Sequence, residues 1–406
     1  MNLHQVRACN LGTLIESSPQ NGYSPICPEH ATGKWVLGLS ALNGSSLDLS
    51  EAKPAPMNAP MVDRFFLSPG DFLISRSNTL DKVGRVGVFR GGLDNCSYPD
   101  LMMRFRPQLQ KVNPDYLEVY LKSELVVKYI RQHATGTSGS MKKINQATVA
   151  SIPVLLPSIQ EQKGIAGISA TWDTAIEKTE RLIAVKERHY THELSRLISQ
   201  GQHPRSHVGN FAHEVSERNR SSAWRRVTLA NIATVWKGQQ LNKDAMIEDG
   251  TYYVLNGGIG PSGRTTSWNC EANTITVSEG GNSCGFVNFN RENFWCGGHC
   301  YALRNLHANI DVHYLFHYMK GRQNQLMTLR VGSGLPNIQK AGIESFSVVL
   351  PDLSRQAAIA RYLNALREEI TTLGAYVEKL KGQKRGLMQK LLTGQWRVKV
   401  SDEDNK

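Results

Sequence analysis

The sequence has no apolar run approaching the roughly 18 residues that a membrane-crossing helix needs, and Met1-Asn2-Leu3-His4-Gln5 opens no export signal. The expectation is a cytoplasmic protein without a membrane partner. Its seven cysteines are odd in number and scattered, which argues against a disulfide framework. Cys270, Cys284, Cys296, His299 and Cys300 crowd one region, but Cys296-x-x-x-Cys300 has no second close pair beside it. Buried reduced thiols fit that spacing better than a zinc site, so no metal is expected. Acidic residues are in deficit, 35 against 47 Lys and Arg, for a net charge of +12. That balance points to a polyanionic partner, with DNA, RNA and an acidic protein all compatible.

Catalytic signatures are missing as well. The chain has no G-x-x-x-x-G-K-[ST] phosphate loop, no G-x-G-x-x-G opening a helix and no H-E-x-x-H. Asn113-Pro114-Asp115-Tyr116 resembles the Asn-Pro-Pro-Tyr loop of adenine methyltransferases, but Asp311-Val312-His313-Tyr314 stands in the same context later in the chain. A helix N-cap followed by proline at the first helical position accounts for the tetrapeptide. No catalytic residue and no cofactor is predicted.

What is present is a heptad pattern over residues 353 to 392. Ile359, Leu363, Leu366, Ile370, Leu373, Val377, Leu380, Leu387 and Leu391 alternate at steps of four and three, interrupted where Lys384 takes the expected place. A pattern held that long predicts one helix with one seam, ending at Gly394. Its partner is predicted over residues 160 to 199, where Ile176, Ile183, Tyr190 and Leu197 recur every seven positions.

The two helices belong to a longer repeat. Leu155-Leu156-Pro157 and Gln162-x-x-Ile165-Ala166 recur as Val349-Leu350-Pro351 and Gln356-x-x-Ile359-Ala360. Tyr116-Leu117-x-x-Tyr120-Leu121 recurs as Tyr314-Leu315-x-x-Tyr318-Met319, and residues 96 to 104 align by sequence with 296 to 304. The chain therefore reads as a tandem duplication with a period near 200 residues, each copy a strand-rich globular unit followed by a long helix. The predicted class is α+β, with the two globular units related by a pseudo-two-fold axis and the helices paired as an antiparallel coiled coil. The predicted divisions are a globular unit over 1–135, a recurring loop and helix over 136–200, a linker over 201–223, a second globular unit over 224–330, its loop and helix over 331–396, and a polar tail over 397–406. A helix of about 40 residues spans roughly 60 Å, about the length of 18 base pairs of duplex.

Two kinds of polar loop recur in both copies. Arg76, Asn78, Lys82 and Arg85 follow the strand at 71–75, and Glu279 to Gly285, with Asn282 and Ser283, follow its repeat. Arg76, Asn78, Lys82, Arg85, Asn282 and Ser283, with Asn256 and Arg264, are the candidates for contacts to base edges. Ser138, Ser140, Lys142 and Lys143, and in the second copy Ser333, Asn337 and Lys340, are candidates for phosphate contacts.

The duplicated order, the Leu-Pro before a Gln-x-x-Ile-Ala helix, and the ending Leu391-Leu392-Thr393-Gly394-Gln395 together resemble the specificity subunits of type I restriction-modification enzymes. The resemblance covers nearly the whole chain and is strongest in the helices and the loops before them. It implies two target recognition domains that each read half of a split site in double-stranded DNA. It also implies helices that space the domains and dock two methyltransferase subunits, with restriction subunits joined through them and no catalysis in the chain itself. A helical adaptor joining protein partners is the alternative, and salt-sensitive binding to a defined duplex separates the two.

Overall fold

The computed structural model describes residues 6–136, 141–199, 224–332 and 336–399. The chain divides into two compact units, Met1–Lys178 with Val377–Lys406, and Thr179–Tyr376. Among the described residues no helix is long and apolar enough to cross a membrane.

The first unit is built on a four-stranded sheet ordered Gln20–Asn21, Met102–Phe105, Phe72–Ser75, Val86–Val88, all pairs antiparallel. A smaller sheet sets Trp35–Leu37 between Ala52–Pro54 and Cys96–Ser97, the last pair parallel. Side chains alternate across a strand, and here both faces are covered. Phe72 and Ile74 enter a core with helix Pro114–Leu121 and helix Glu124–His133, whereas Leu73 on the opposite face enters a second core with Leu37, Phe65 and Tyr98. This explains the near-continuous apolar run at 72–74.

The second unit repeats the plan. Its larger sheet is ordered Thr234–Lys237, Cys300–Arg304, Thr274–Ser278, Val287–Asn290, and its smaller sheet sets Tyr252–Leu255 between Gly263–Thr265 and Trp295–Cys296. Tyr301 and Leu303 face the helical core, while Cys300 and Ala302 join Leu255, Cys270, Phe294 and Cys296 on the other side. The ladders correct one sequence alignment. Ser75 pairs with Met102 and Ser278 with Cys300, so Met102 corresponds to Cys300 and Leu101 to His299. The sequence alignment of 96–104 with 296–304 was two residues out of register. A two-residue slip leaves every side chain on its original face, so the apolar alternation reads equally well in both registers.

One glutamine in each unit ties the globular part to its long helix. Gln162 Oε1 accepts from Asn113 N at 2.8 Å while its Nε2 donates to Pro157 O at 2.9 Å. Gln356 does the same with Asp311 N and Pro351 O, both at 2.9 Å. Asn113 and Asp311 are the N-caps of the following helices, accepting from Tyr116 N and Tyr314 N at 2.9 Å. The Asn-Pro-Asp-Tyr tetrapeptide is thus a capped helix start held to the long helix. Tyr116 and Tyr314 complete the joint by donating to Leu155 O at 2.5 Å and Val349 O at 2.7 Å.

The long helices are Ile159–Ser199 and Leu353–Leu392. Each unit holds the N-terminal half of one beside the C-terminal half of the other, so the pairing is antiparallel. In the first unit Lys384 reaches Asp173 at 2.6 Å. In the second, Lys186 reaches Glu369 at 2.7 Å, and Leu194 and Ile198 share a core with Ile359 and Leu363. Of the predicted seam, Ile176, Ile359, Leu363, Val377, Leu380 and Leu391 are buried, whereas Ile183, Tyr190, Leu197, Leu366, Ile370 and Leu373 are half-buried. The second helix ends with Gly394 at φ +73°, the left-handed residue that stops a helix. Beyond it, Arg397 returns to the buried Glu161 with Nε at 2.6 Å from Oε1.

In the second unit a polar chain crosses this packing. The Tyr190 hydroxyl lies 3.0 Å from His317 Nδ1, and His317 Nε2 lies 2.9 Å from Asn364 Oδ1. His317 is fully buried, and that burial lowers its pKa to about 4.

Candidate nucleic-acid interface

In the second unit the ends of four strands converge. Lys237-Gly238, Asn256-Gly257-Gly258 and Glu279-Gly280-Gly281 leave their strands where Gly297-Gly298-His299 enters Cys300–Arg304. Backbones approach too closely there for side chains at every position. A Cβ at Gly238 would lie 2.2 Å from the Gly297 carbonyl oxygen, and Gly257 adopts φ +83°. Hydrogen bonds join the segments: His299 N donates to Asn256 Oδ1 at 3.3 Å, Ser283 Oγ to Gly257 O at 2.6 Å and Ser278 Oγ to Gly258 O at 3.2 Å.

At the centre is Glu279, whose side chain is 6% exposed. Its Oε1 accepts from Lys237 Nζ at 2.7 Å and from the Tyr301 hydroxyl at 3.0 Å, and His299 Nδ1 lies 3.6 Å from Oε2. Burial and the Glu279 carboxylate push the Tyr301 phenol up to about 12, so it stays a donor. Lys237 and His299 are 53% and 66% exposed, so their outer atoms face solvent. The recurring loop docks alongside, with Ile338 N donating to Glu279 O at 2.8 Å and Gly281 N to Pro336 O at 3.0 Å.

The first unit has the same backbone arrangement with other side chains. Arg76 occupies the place of Glu279: Arg76 N donates to Leu101 O at 2.8 Å and Ile144 N to Arg76 O at 2.9 Å, as Glu279 N donates to His299 O at 2.9 Å. Asn21 occupies the place of Lys237, paired with Met103 as Lys237 is with Tyr301. The Arg76 guanidinium reaches Asp100 O at 3.4 Å, and Asn21 Oδ1 is buried without a hydrogen-bond partner. The recurring loop pairs here as strand Lys142–Lys143 against Ser77–Asn78.

The remaining sequence candidates distribute as follows. Asn78 Oδ1 accepts from Thr79 N at 2.9 Å, Arg85 donates to Asn43 O at 3.0 Å, and Lys82 is exposed. Lys142 Nζ donates to Gly136 O at 2.6 Å, and Lys143 is exposed. Asn282 and Asn337 are exposed beside the strand ends, and Lys340 pairs with Glu344 at 3.5 Å. Arg264 is bound within its own hairpin, to Gly250 O at 2.5 Å and Thr251 O at 2.9 Å. Ser138, Ser140 and Ser333 lie outside the described residues. Lys237, Glu279 and His299 were missed as candidates; the signal that marks them is a glycine beside each strand run.

Beneath this surface lie the thiols of Cys270, Cys296 and Cys300, all buried. A hydrogen bond with Cys296 and the Arg304 guanidinium, 3.2 Å from its sulfur, lower the Cys270 pKa to about 7. Among the described residues no group of three or more His, Cys, Asp or Glu is placed to hold a metal ion. The exposed set is ammonium, imidazole, guanidinium and amide, the groups that hydrogen-bond base edges and phosphates.

Residues 221–378 match the family model described as type I restriction modification DNA specificity domain. The chain is 23% identical to a putative type I restriction enzyme MjaX specificity subunit of Methanocaldococcus jannaschii, over 94% of this chain and 91% of that one. It is 30% identical to a putative type I specificity subunit, S.MpnORF638P, of Mycoplasma pneumoniae, over 39% of this chain and 43% of the relative. In fold it is similar to the crystal structure of a type I restriction-modification system S subunit from M. genitalium, with a TM-score of 0.62, 15% identity, and 99% and 98% of the two chains covered. A chain from a structure of the type I R-M system gives a TM-score of 0.55 at 14% identity, over 95% of this chain and 97% of that one. With its duplicated sheets and paired helices, the chain is similar over nearly its whole length to specificity subunits of type I restriction-modification systems, and residues 221–378 match that family's DNA specificity domain.

Proposed function

We propose that the chain reads a two-part target in double-stranded DNA, one half by each unit, and docks methyltransferase subunits, and through them restriction subunits. The observation that carries this reading is the recurrence of one strand-end surface with different side chains in its two copies, Arg76 and Asn21 in one and Glu279 and Lys237 in the other. Equal scaffolds with unequal side chains at the strand ends suit two readers of unequal sequences. The recurring loops, with Lys142 and Lys143 in the first unit and Asn337 and Lys340 in the second, suit phosphate contacts that position each reader without specifying bases. Along the long helices, Leu182, Val185 and Tyr376 are exposed apolar side chains available to protein partners. The chain contributes recognition, and methyl transfer falls to its partners.

Selection of bound sites from duplex DNA of random sequence, using the full chain in the complex with which it co-purifies, tests this. The expected outcome is two short defined motifs separated by a fixed run of unspecified bases. A single continuous motif, or none, sinks the reading.

A further inference from the structure

We infer that Lys237 and His299 read bases in the half of the target met by the second unit, and that Glu279 is the positioning residue that presents them. The inference rests on the two-part reading above.

Glu279 is unusual in its place. It is a buried carboxylate at the end of a strand, on a surface argued to meet a polyanion. A buried carboxylate left unpaired is costly, so its presence requires the Lys237 ammonium at 2.7 Å and the Tyr301 hydroxyl at 3.0 Å. The fold itself does not require an acid there. The bonds that hold the strand end and the recurring loop are made by the Glu279 backbone, from its N to His299 O and to its O from Ile338 N. Arg76 makes the same two backbone bonds in the first unit with a side chain of opposite charge. The side chain at this position is therefore set by something other than architecture.

What the carboxylate does is hold one outward-facing group and stand beside a second. A lysine at a strand end has a long, mobile stem, and an ion pair to a buried acid confines its ammonium before any ligand arrives. Such confinement lowers the entropy lost on binding. Glu279 Oε1 is occupied by Lys237 and Tyr301, while Oε2 faces His299 Nδ1 at 3.6 Å, so one acid holds the ammonium and lies beside the imidazole. An ammonium donates only, and of the bases guanine presents two acceptors, O6 and N7, side by side in the major groove. The inference therefore includes a guanine preference at one position of one half-site.

The test is bound-site selection from random duplex DNA with the full chain in its co-purifying complex. The variants are Lys237→Ala, His299→Ala, Glu279→Gln and Arg76→Ala, each checked by thermal melting. Lys237→Ala is expected to lose guanine at one position by about tenfold while the other half is unchanged. Glu279→Gln is expected to weaken that same position, and Arg76→Ala to act only in the other half. If Lys237→Ala melts early, Lys237→Arg replaces it and is expected to keep the guanine. Unchanged preferences in both Lys237→Ala and His299→Ala, with the two-part motif intact, overturn this inference and leave the two-part reading standing. A uniform loss of affinity in Glu279→Gln, without a change in preference, makes it a structural residue and overturns its positioning role. A wild-type complex that selects no two-part motif overturns the underlying reading instead.

Discussion

His317 shows what a single buried polar residue does to stability. The ring is satisfied when neutral, between the Tyr190 hydroxyl and Asn364 Oδ1, and its protonation is opposed first by burial and then by the nearby Arg367 and His313. Its pKa near 4 in the folded chain lies below the ordinary histidine value near 6.5. Between those values the unfolded chain binds a proton that the folded chain does not, so stability falls as pH drops through that window. The loss amounts to about 3 kcal/mol when complete. Urea unfolding at pH 7 and pH 4.5 checks this, with a smaller difference expected for His317→Gln. The paired glutamines give a second test. Gln356 is buried and bonded to Asp311 N, Pro351 O and Asn309 O. Gln356→Ala leaves those groups unpaired and is expected to cost about 2–3 kcal/mol, read as a shift in denaturant midpoint.

Among elements, the long helices separate what a heptad pattern declares from what it leaves open. Period and seam are visible because 3.5-residue spacing is a local property of one segment. The depth of each seam position is not local. Leu363 is fully buried because the globular core closes over it, whereas Leu373 is half-buried. Leu363→Ala is expected to cost about 2–5 kcal/mol, and Leu373→Ala distinctly less, in thermal or chemical unfolding of the full chain. The strand register has the same origin. Alternation places residues on faces but not along the partner strand, so a two-residue slip between Met102 and Cys300 was invisible until the hydrogen bonds were known. The interface suffered most. Lys237, Glu279 and His299 meet only because four strand ends converge, and no spacing along the chain expresses that.

The duplication of the whole molecule was legible because it repeats joint residues, Gln162 with Gln356 and Tyr116 with Tyr314, whose bonds are the same in both copies. If the long helices set the separation of two readers, inserting one heptad into each is expected to lengthen the unspecified run between the motifs. One heptad adds about 10 Å, or about three base pairs, with both motifs retained, and site selection measures it. The glutamine joints have a further consequence, for descent. A joint made by one side chain and main-chain groups is indifferent to what the strand ends carry, as Arg76 and Glu279 on equal backbones already illustrate. On the two-part reading proposed above, a lineage can rewrite its reading residues by single substitutions, or exchange one globular unit for another, while inheriting the same attachment to the helices. In such a molecule new target preferences arise without a new architecture.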